Sequence, residues 1–296
     1  MKLLESWIRA RGAWSRIFIF LVLLGLVWLP IAAPLYGWGY FSGNSNIAEI
    51  LALVALYALF LWGLPQWGRR IHKWQRPFQH CGLQFHAGTG RELSTAIVIG
   101  VLGVFALFGT STLLGWAAPT PPSPRFVRFF FEGLLMALAV GFAEEMLFRG
   151  WLLAELEKDY TARAALMMNA LFFAVTHFIK PLNAIISTSP QFFGLAALGM
   201  ALVWARRNQA KNAAQTSLAY PIGLHAGLIW GYYIVNVGGL SETTGLAPTW
   251  VTGINENPLA GLLGLMLLGA IAFQFAKVAQ PKTHPVTPST HARPLN

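Results

Sequence analysis

The chain of 296 residues is 55% hydrophobic and 11% charged, with a net charge of +10, far from the composition of a soluble globular protein. A single cysteine, Cys81, excludes an intrachain disulfide framework. The surplus of Lys and Arg raises the question of a nucleic-acid partner, but its placement along the chain points to a membrane, and no nucleic-acid partner is expected.

Met1–Arg16 is basic, with Leu3, Leu4, Trp7, Ile8 and Trp14 among the charges. It reads either as an amphipathic helix on an anionic leaflet or as a solvated lead-in to the first span. The apolar run that follows continues through Trp28 and Pro30 with no small-residue cleavage site, so it is taken as a retained span. Apolar runs near the length of about 20 residues that a spanning helix needs then recur along the chain. They predict spans at Ile17–Tyr36, Ile47–Leu64, Leu93–Ala117, Phe126–Leu156, Ala162–Phe178, Ala184–Trp204, Ala214–Val237 and Pro258–Phe275. The expected fold is therefore all-α and polytopic, with about eight transmembrane helices. Three parts are expected: an interfacial segment 1–16, a helical membrane domain 17–276, and a disordered tail 277–296. The histidines His72, His80 and His86 share the loop after the second span, at spacings that match no helical metal site.

With the N-terminus placed in the cytoplasm, seventeen Lys and Arg fall on the cytoplasmic side. Only Arg125, Arg128 and Lys180 fall opposite, and Arg149 lies within a span. That asymmetry is a positive-inside signature, predicting both termini in the cytoplasm.

The stretch Gly141–Gly150, GFAEEMLFRG, puts Glu144, Glu145 and Arg149 inside an apolar run. Ionisable groups at bilayer depth cost roughly 2.5–3.5 kcal/mol each on insertion scales, so they are rare and tend to be functional. Glu145 and Arg149 are four apart and can neutralise each other on one helical face. Glu144 points about 100° away and has no partner within its helix. Of seven histidines, His177 and His225 alone fall within predicted spans. Glu144 lies 16 residues before Tyr160 and His177 lies 17 after it. In an antiparallel hairpin turning at Tyr160, both sit roughly 25 Å from the turn, at one level. His225, midway along its own span, reaches the same depth. Glu144, His177 and His225 are expected to line one polar cavity. Each residue taken alone has a plain structural reading, as a neutralised pair or a hydrogen-bonded histidine; their common depth favours a site.

Glu144-Glu145-Met146-Leu147-Phe148-Arg149 fits E-E-x-x-x-R, Phe173–His177 fits F-x-x-x-H, and His225 stands in GLHAGLIWG. Together these resemble the CPBP (Abi) family, which includes the type II CAAX prenyl endopeptidases and bacteriocin-processing relatives, over a core of about 127–237. The resemblance implies an intramembrane endopeptidase acting on a membrane protein or lipidated peptide. Its site would be Glu144, Glu145, Arg149, His177 and His225. Glu144 and His177 would activate a water, His225 would polarise the scissile carbonyl, and Glu145 with Arg149 would hold the span. It leaves open whether Glu144, His177 and His225 hold a divalent metal such as zinc or act without one. One departure stands out: the third motif usually carries Asn or Asp four residues after its His, and here that position is Ile229. Two other readings use the same residues, a proton- or ion-coupled transporter and a catalytically silent scaffold of the same fold. No internal repeat, which many transporters have, is visible.

Overall fold

The computed structural model describes residues 2–208, 217–254 and 257–279. The helices are α1 (Lys2–Arg9), α2 (Ala13–Ser42), α3 (Ser45–Ile71), α4 (Pro77–His80), α5 (Thr89–Leu113) and α6 (Phe126–Glu145). After α6 comes a π-helical turn, Met146–Leu152, which runs into α7 (Leu153–Asp159). Then follow α8 (Ala162–Thr176), α9 (Leu182–Thr188), α10 (Gln191–Arg207), α11 (Ala219–Asn236), α12 (Thr249–Thr252), a 3₁₀ turn (Pro258–Ala260) and α13 (Leu262–Val278). The fold is nearly all-α. The exception is a small antiparallel pair, β1 (Ala117–Pro119) and β2 (Ser241–Thr243), which ties the loop after α5 to the loop after α11.

Length sorts the helices. A hydrocarbon core about 30 Å thick needs about 20 helical residues. Four units are long and apolar enough to cross: α2, α3, α5 and the continuous Phe126–Asp159. A fifth is reached if α9 and α10 count as one span, but these are bent by 74° at Ser189–Pro190. The single straight helix expected over Ala184–Trp204 is therefore broken, because Pro190 cannot continue the hydrogen-bond ladder of α9. The helices at the fifth and eighth predicted spans, α8 with 15 residues and α13 with 17, are shorter than a span. The described part of the seventh, α11, begins at Ala219, and positions 214–216 lie outside the described residues. The expected tail from 280 onward also lies outside them.

The N-terminal segment does form a helix. Ile8 is buried, Arg9 donates to the Arg70 carbonyl at 3.1 Å, and Leu3, Leu4 and Trp7 face outward. α2 and α3 form a hairpin closed at Gly43, whose positive φ of 71° ends α2 in a left-handed cap.

Glycines set the packing of the inner helices. A Cβ at Gly223 or Gly227 of α11 would fall on the backbone of α5, at the carbonyls of Leu93 and Ile97. Opposite, a Cβ at Gly100 would lie 2.7 Å from the Leu224 carbonyl. Small residues at this seam let the two backbones touch, the usual device for packing helices in lipid. Gly141 lets α6 approach the other flank of α11, near Ile222 and Ala226. Gly199 does the same for α10 against Ala170 of α8. The inner bundle thus brings α6, α8, α10 and α11 close around one layer.

Candidate active site

Glu145 and Arg149 are fully buried. Arg149 Nη1 donates to Glu145 Oε1 at 3.0 Å, and Nη2 donates to the Gly199 carbonyl at 3.2 Å. The guanidinium also lies 4.2 Å over the Phe173 ring. These contacts join the Glu-bearing span to α10 and α8. His225, 5% exposed, places Nδ1 2.8 Å from the same Glu145 Oε1. A carboxylate so placed accepts the Nδ1 proton and leaves Nε2 pointing elsewhere.

Nε2 of His225 faces Glu144. The distance to Glu144 Oε2 is 4.0 Å, and His177 Nε2 approaches the same oxygen from the other side at 3.8 Å. His177 stands at the C-cap of α8, where the helix opens, and its Nδ1 lies 2.7 Å from the Phe173 carbonyl. A carbonyl can only accept, so this nitrogen carries a proton, and Nε2 is the nitrogen turned toward Glu144. Glu144 Oε2 is buried and has no hydrogen-bond partner among the described residues. The structure therefore brings Glu144, Glu145, Arg149, His177 and His225 together, with the two glutamates in different surroundings. Glu145 has a guanidinium and an imidazole, whereas Glu144 faces two imidazole nitrogens across open gaps.

Those gaps bear on metal binding. Zinc ligands at about 2.0–2.1 Å in tetrahedral array stand about 3.4 Å from one another. The 3.8 and 4.0 Å separations are wider, and among the described residues no three His, Cys, Asp or Glu form a group suited to a metal ion. A water hydrogen-bonded at about 2.8 Å to two such atoms spans about 4.6 Å, so the observed separations fall between the two cases. A separate apolar cleft of about 500 Å³, lined by Pro190, Phe193, Trp250, Leu262 and Leu265 among others, includes none of the five site residues.

Position 229 supplies no polar group. The neighbouring Trp230 turns its indole N–H to the Phe130 carbonyl at 2.9 Å, which ties α11 to α6.

Sequence reasoning missed a second buried polar cluster. Glu144 and Glu145 were singled out from sequence as acids within an apolar run, and Glu155 is fully buried too. It accepts from Arg16 Nε at 3.0 Å and Trp67 Nε1 at 2.7 Å, and lies 2.5 Å from His72 Nε2. Lys158 Nζ lies 2.7 Å from the other nitrogen of His72. Arg16, counted among the cytoplasmic-side charges, is 1% exposed. The available signal was position: Glu155 falls inside the apolar run ending near Leu156. A third element unforeseen from sequence is the π turn between the two clusters, a feature that recurs at functional sites. Below it, the Cys81 carbonyl lies against Gly150, and burial pushes the Cys81 thiol up to about 12.

Long apolar helices around a buried layer of carboxylates and imidazoles define the class: an integral membrane protein, nearly all helical. The comparison with known families is narrower. Residues 126–234 match the family described as Type II CAAX prenyl endopeptidase Rce1-like, so this segment is similar to CAAX proteases. The match runs from the start of α6 to near the end of α11, so it contains all five site residues. No curated protein and no solved structure matches the chain.

Proposed function

We propose that the protein is an intramembrane endopeptidase that hydrolyses a peptide bond of a membrane protein or lipidated peptide with a water activated by Glu144. The observation that carries this reading is the unpartnered Oε2 of Glu144, set 3.8 Å and 4.0 Å from the two histidine Nε2 atoms. A water in that gap donates one proton to Glu144 and one to the His177 lone pair, leaving its oxygen lone pair for the scissile carbonyl. Glu144 takes the proton as the oxygen attacks and passes it to the leaving amine. His225 acts as the imidazolium: Glu145 accepts from Nδ1–H, and Nε2–H donates to the developing oxyanion. With Arg149 counted, two carboxylates then face two cations, so the buried layer is balanced. Ile229 offers no second donor, which leaves the oxyanion to His225 and to backbone or water. The orientation proposed is the one with both termini in the cytoplasm, as the charge asymmetry implies.

The test is hydrolysis of a membrane-peptide substrate by the purified protein, wild type beside Glu144→Gln, each with and without a chelator. Glu144→Gln keeps shape and hydrogen bonding but cannot take the proton. Turnover should fall by about a hundredfold or more, with folding retained and no effect of chelator on the wild type. Equal turnover in both proteins removes Glu144 as the base, and no turnover in either leaves the transporter or scaffold reading. Loss of wild-type turnover on chelation would assign Glu144, His177 and His225 to a metal instead.

A further inference from the structure

The π turn Met146–Leu152 separates two carboxylates that use opposite sides of one span. Glu145 meets His225 of α11, whereas Glu155 meets Arg16 of α2, Trp67 of α3 and His72. Glu145 and Glu155 are ten residues apart. In an unbroken α-helix they would stand about 80° apart around the axis, at about 100° per residue. A turn closed by i→i+5 bonds takes up about one residue more than an α turn, which brings them to about 180°. Both clusters therefore depend on the π turn for their phase.

Something must hold that turn, because regular α-helix is the default alternative for an apolar span. The Leu153 N–H donates back to the Phe148 carbonyl, five residues earlier. The same carbonyl accepts a second bond from outside the span, Asn169 Nδ2 of α8 at 2.8 Å. Asn169 is fully buried, and its Oδ1 has no partner among the described residues. Its amide is thus committed to this one carbonyl. Asn169, Phe173 and His177 follow at intervals of four along α8. Phe173 packs edge-on against the Phe148 ring at 5.0 Å and under the Arg149 guanidinium, and His177 meets Glu144. One face of α8 therefore reads the span from its π carbonyl to its unpaired carboxylate.

We propose that Asn169 is a positioning residue: by gripping the Phe148 carbonyl it holds the π turn and so sets the phase that puts Glu144 opposite His177. It touches neither the water nor the substrate and acts through the backbone of the span. For its kinetic consequence this rests on the protease reading; for the π turn it does not.

The test has a kinetic arm and an arm independent of turnover. Asn169→Leu keeps the number and branching of side-chain heavy atoms and removes the amide. kcat should fall by about tenfold or more while KM stays within about twofold, and backbone amides of 146–153 should exchange faster with solvent deuterium. Asn169→Asp has the native shape but donates to the carbonyl only while protonated. Glu145, Arg149, His177 and His225 are present in both proteins, so the ratio of its turnover to that of wild type isolates the substituted side chain, and that ratio should fall as pH rises. A folded Asn169→Leu with kcat within about twofold of wild type, or with unchanged exchange at 146–153, overturns the proposal. If the leucine variant does not fold, the Asp variant decides, and a turnover ratio independent of pH overturns it. A wild type without hydrolytic activity sinks the protease reading alone. The exchange arm still decides whether Asn169 holds the π turn.

Discussion

At the scale of single residues, two adjacent glutamates are separated in role by what each touches. Glu145 Oε1 serves Arg149 and His225 at once, at 3.0 and 2.8 Å. Glu145→Gln therefore leaves a buried guanidinium without its counter-charge and replaces the anionic acceptor of His225 with a neutral one. Breaking such a buried pair costs about 3–5 kcal/mol, so the expected symptom is a lower thermal midpoint in detergent and poor yield. Replacing Glu145 and Arg149 together by apolar residues should recover part of that loss, because no unpaired charge remains. A Glu145→Gln protein as stable as wild type would show that Arg149 is satisfied elsewhere. Glu144→Gln, by contrast, should leave the midpoint close to wild type, since Oε2 has no hydrogen-bond partner to lose. The pairing of Glu145 with Arg149 was legible from a spacing of four. That His225 joins Glu145 as well as Glu144 was not, because no spacing along one helix reports which oxygen a neighbouring helix reaches.

At the scale of elements, glycine decides which helices come close enough for short side chains to meet. Gly223 and Gly227 press α11 onto α5, and His225 lies between them in sequence on the opposite face. Gly227→Val places a branched side chain against the Ile97 carbonyl, and backbone cannot yield as a side-chain end can. A loss of about 1–3 kcal/mol is expected, together with reduced turnover, because α11 carries His225 away from Glu145 as it lifts. Gly269→Ala on α13 is the matched control, as a Cβ there meets nothing within 4 Å. It should be neutral or slightly stabilising by helix propensity. Equal midpoints for the two variants would mean that the α5–α11 seam contributes nothing special. The other elements differ from expectation for local reasons. α8 stops before His177, and the Ser189–Pro190 step bends α9 from α10, so a histidine expected inside a helix sits where helix ends.

At the scale of the whole molecule, the open quantity is how many of the apolar helices cross. Four or five do so by length, and α8, with 15 residues, falls short of a standard bilayer on its own. Snorkelling ends and local thinning can accommodate a short helix at modest cost, and the charge asymmetry favours eight crossings. Reporter fusions after Asn46, Tyr160 and Lys180 test this. Asn46 and Lys180 should report the outside and Tyr160 the cytoplasm. Lys180 on the same side as Tyr160 would mean that α8 does not cross, and eight spans would no longer stand.

Sequence by itself determined the helical membrane class, the depth layer and the residues that meet there. All three follow from quantities written along the chain: runs of apolar residues long enough for a bilayer, and a constant rise that converts residue number into depth. It also carried the motifs of the family that residues 126–234 match. Tertiary structure alone decided phase and partnership. The π turn, the grip of Asn169 on the Phe148 carbonyl and the burial of Glu155 by Arg16, Trp67 and His72 depend on contacts between helices far apart in sequence. A helix read alone takes its α period by default. Whether a span departs from that period is settled by which neighbour accepts or donates the hydrogen bond that the departure leaves over.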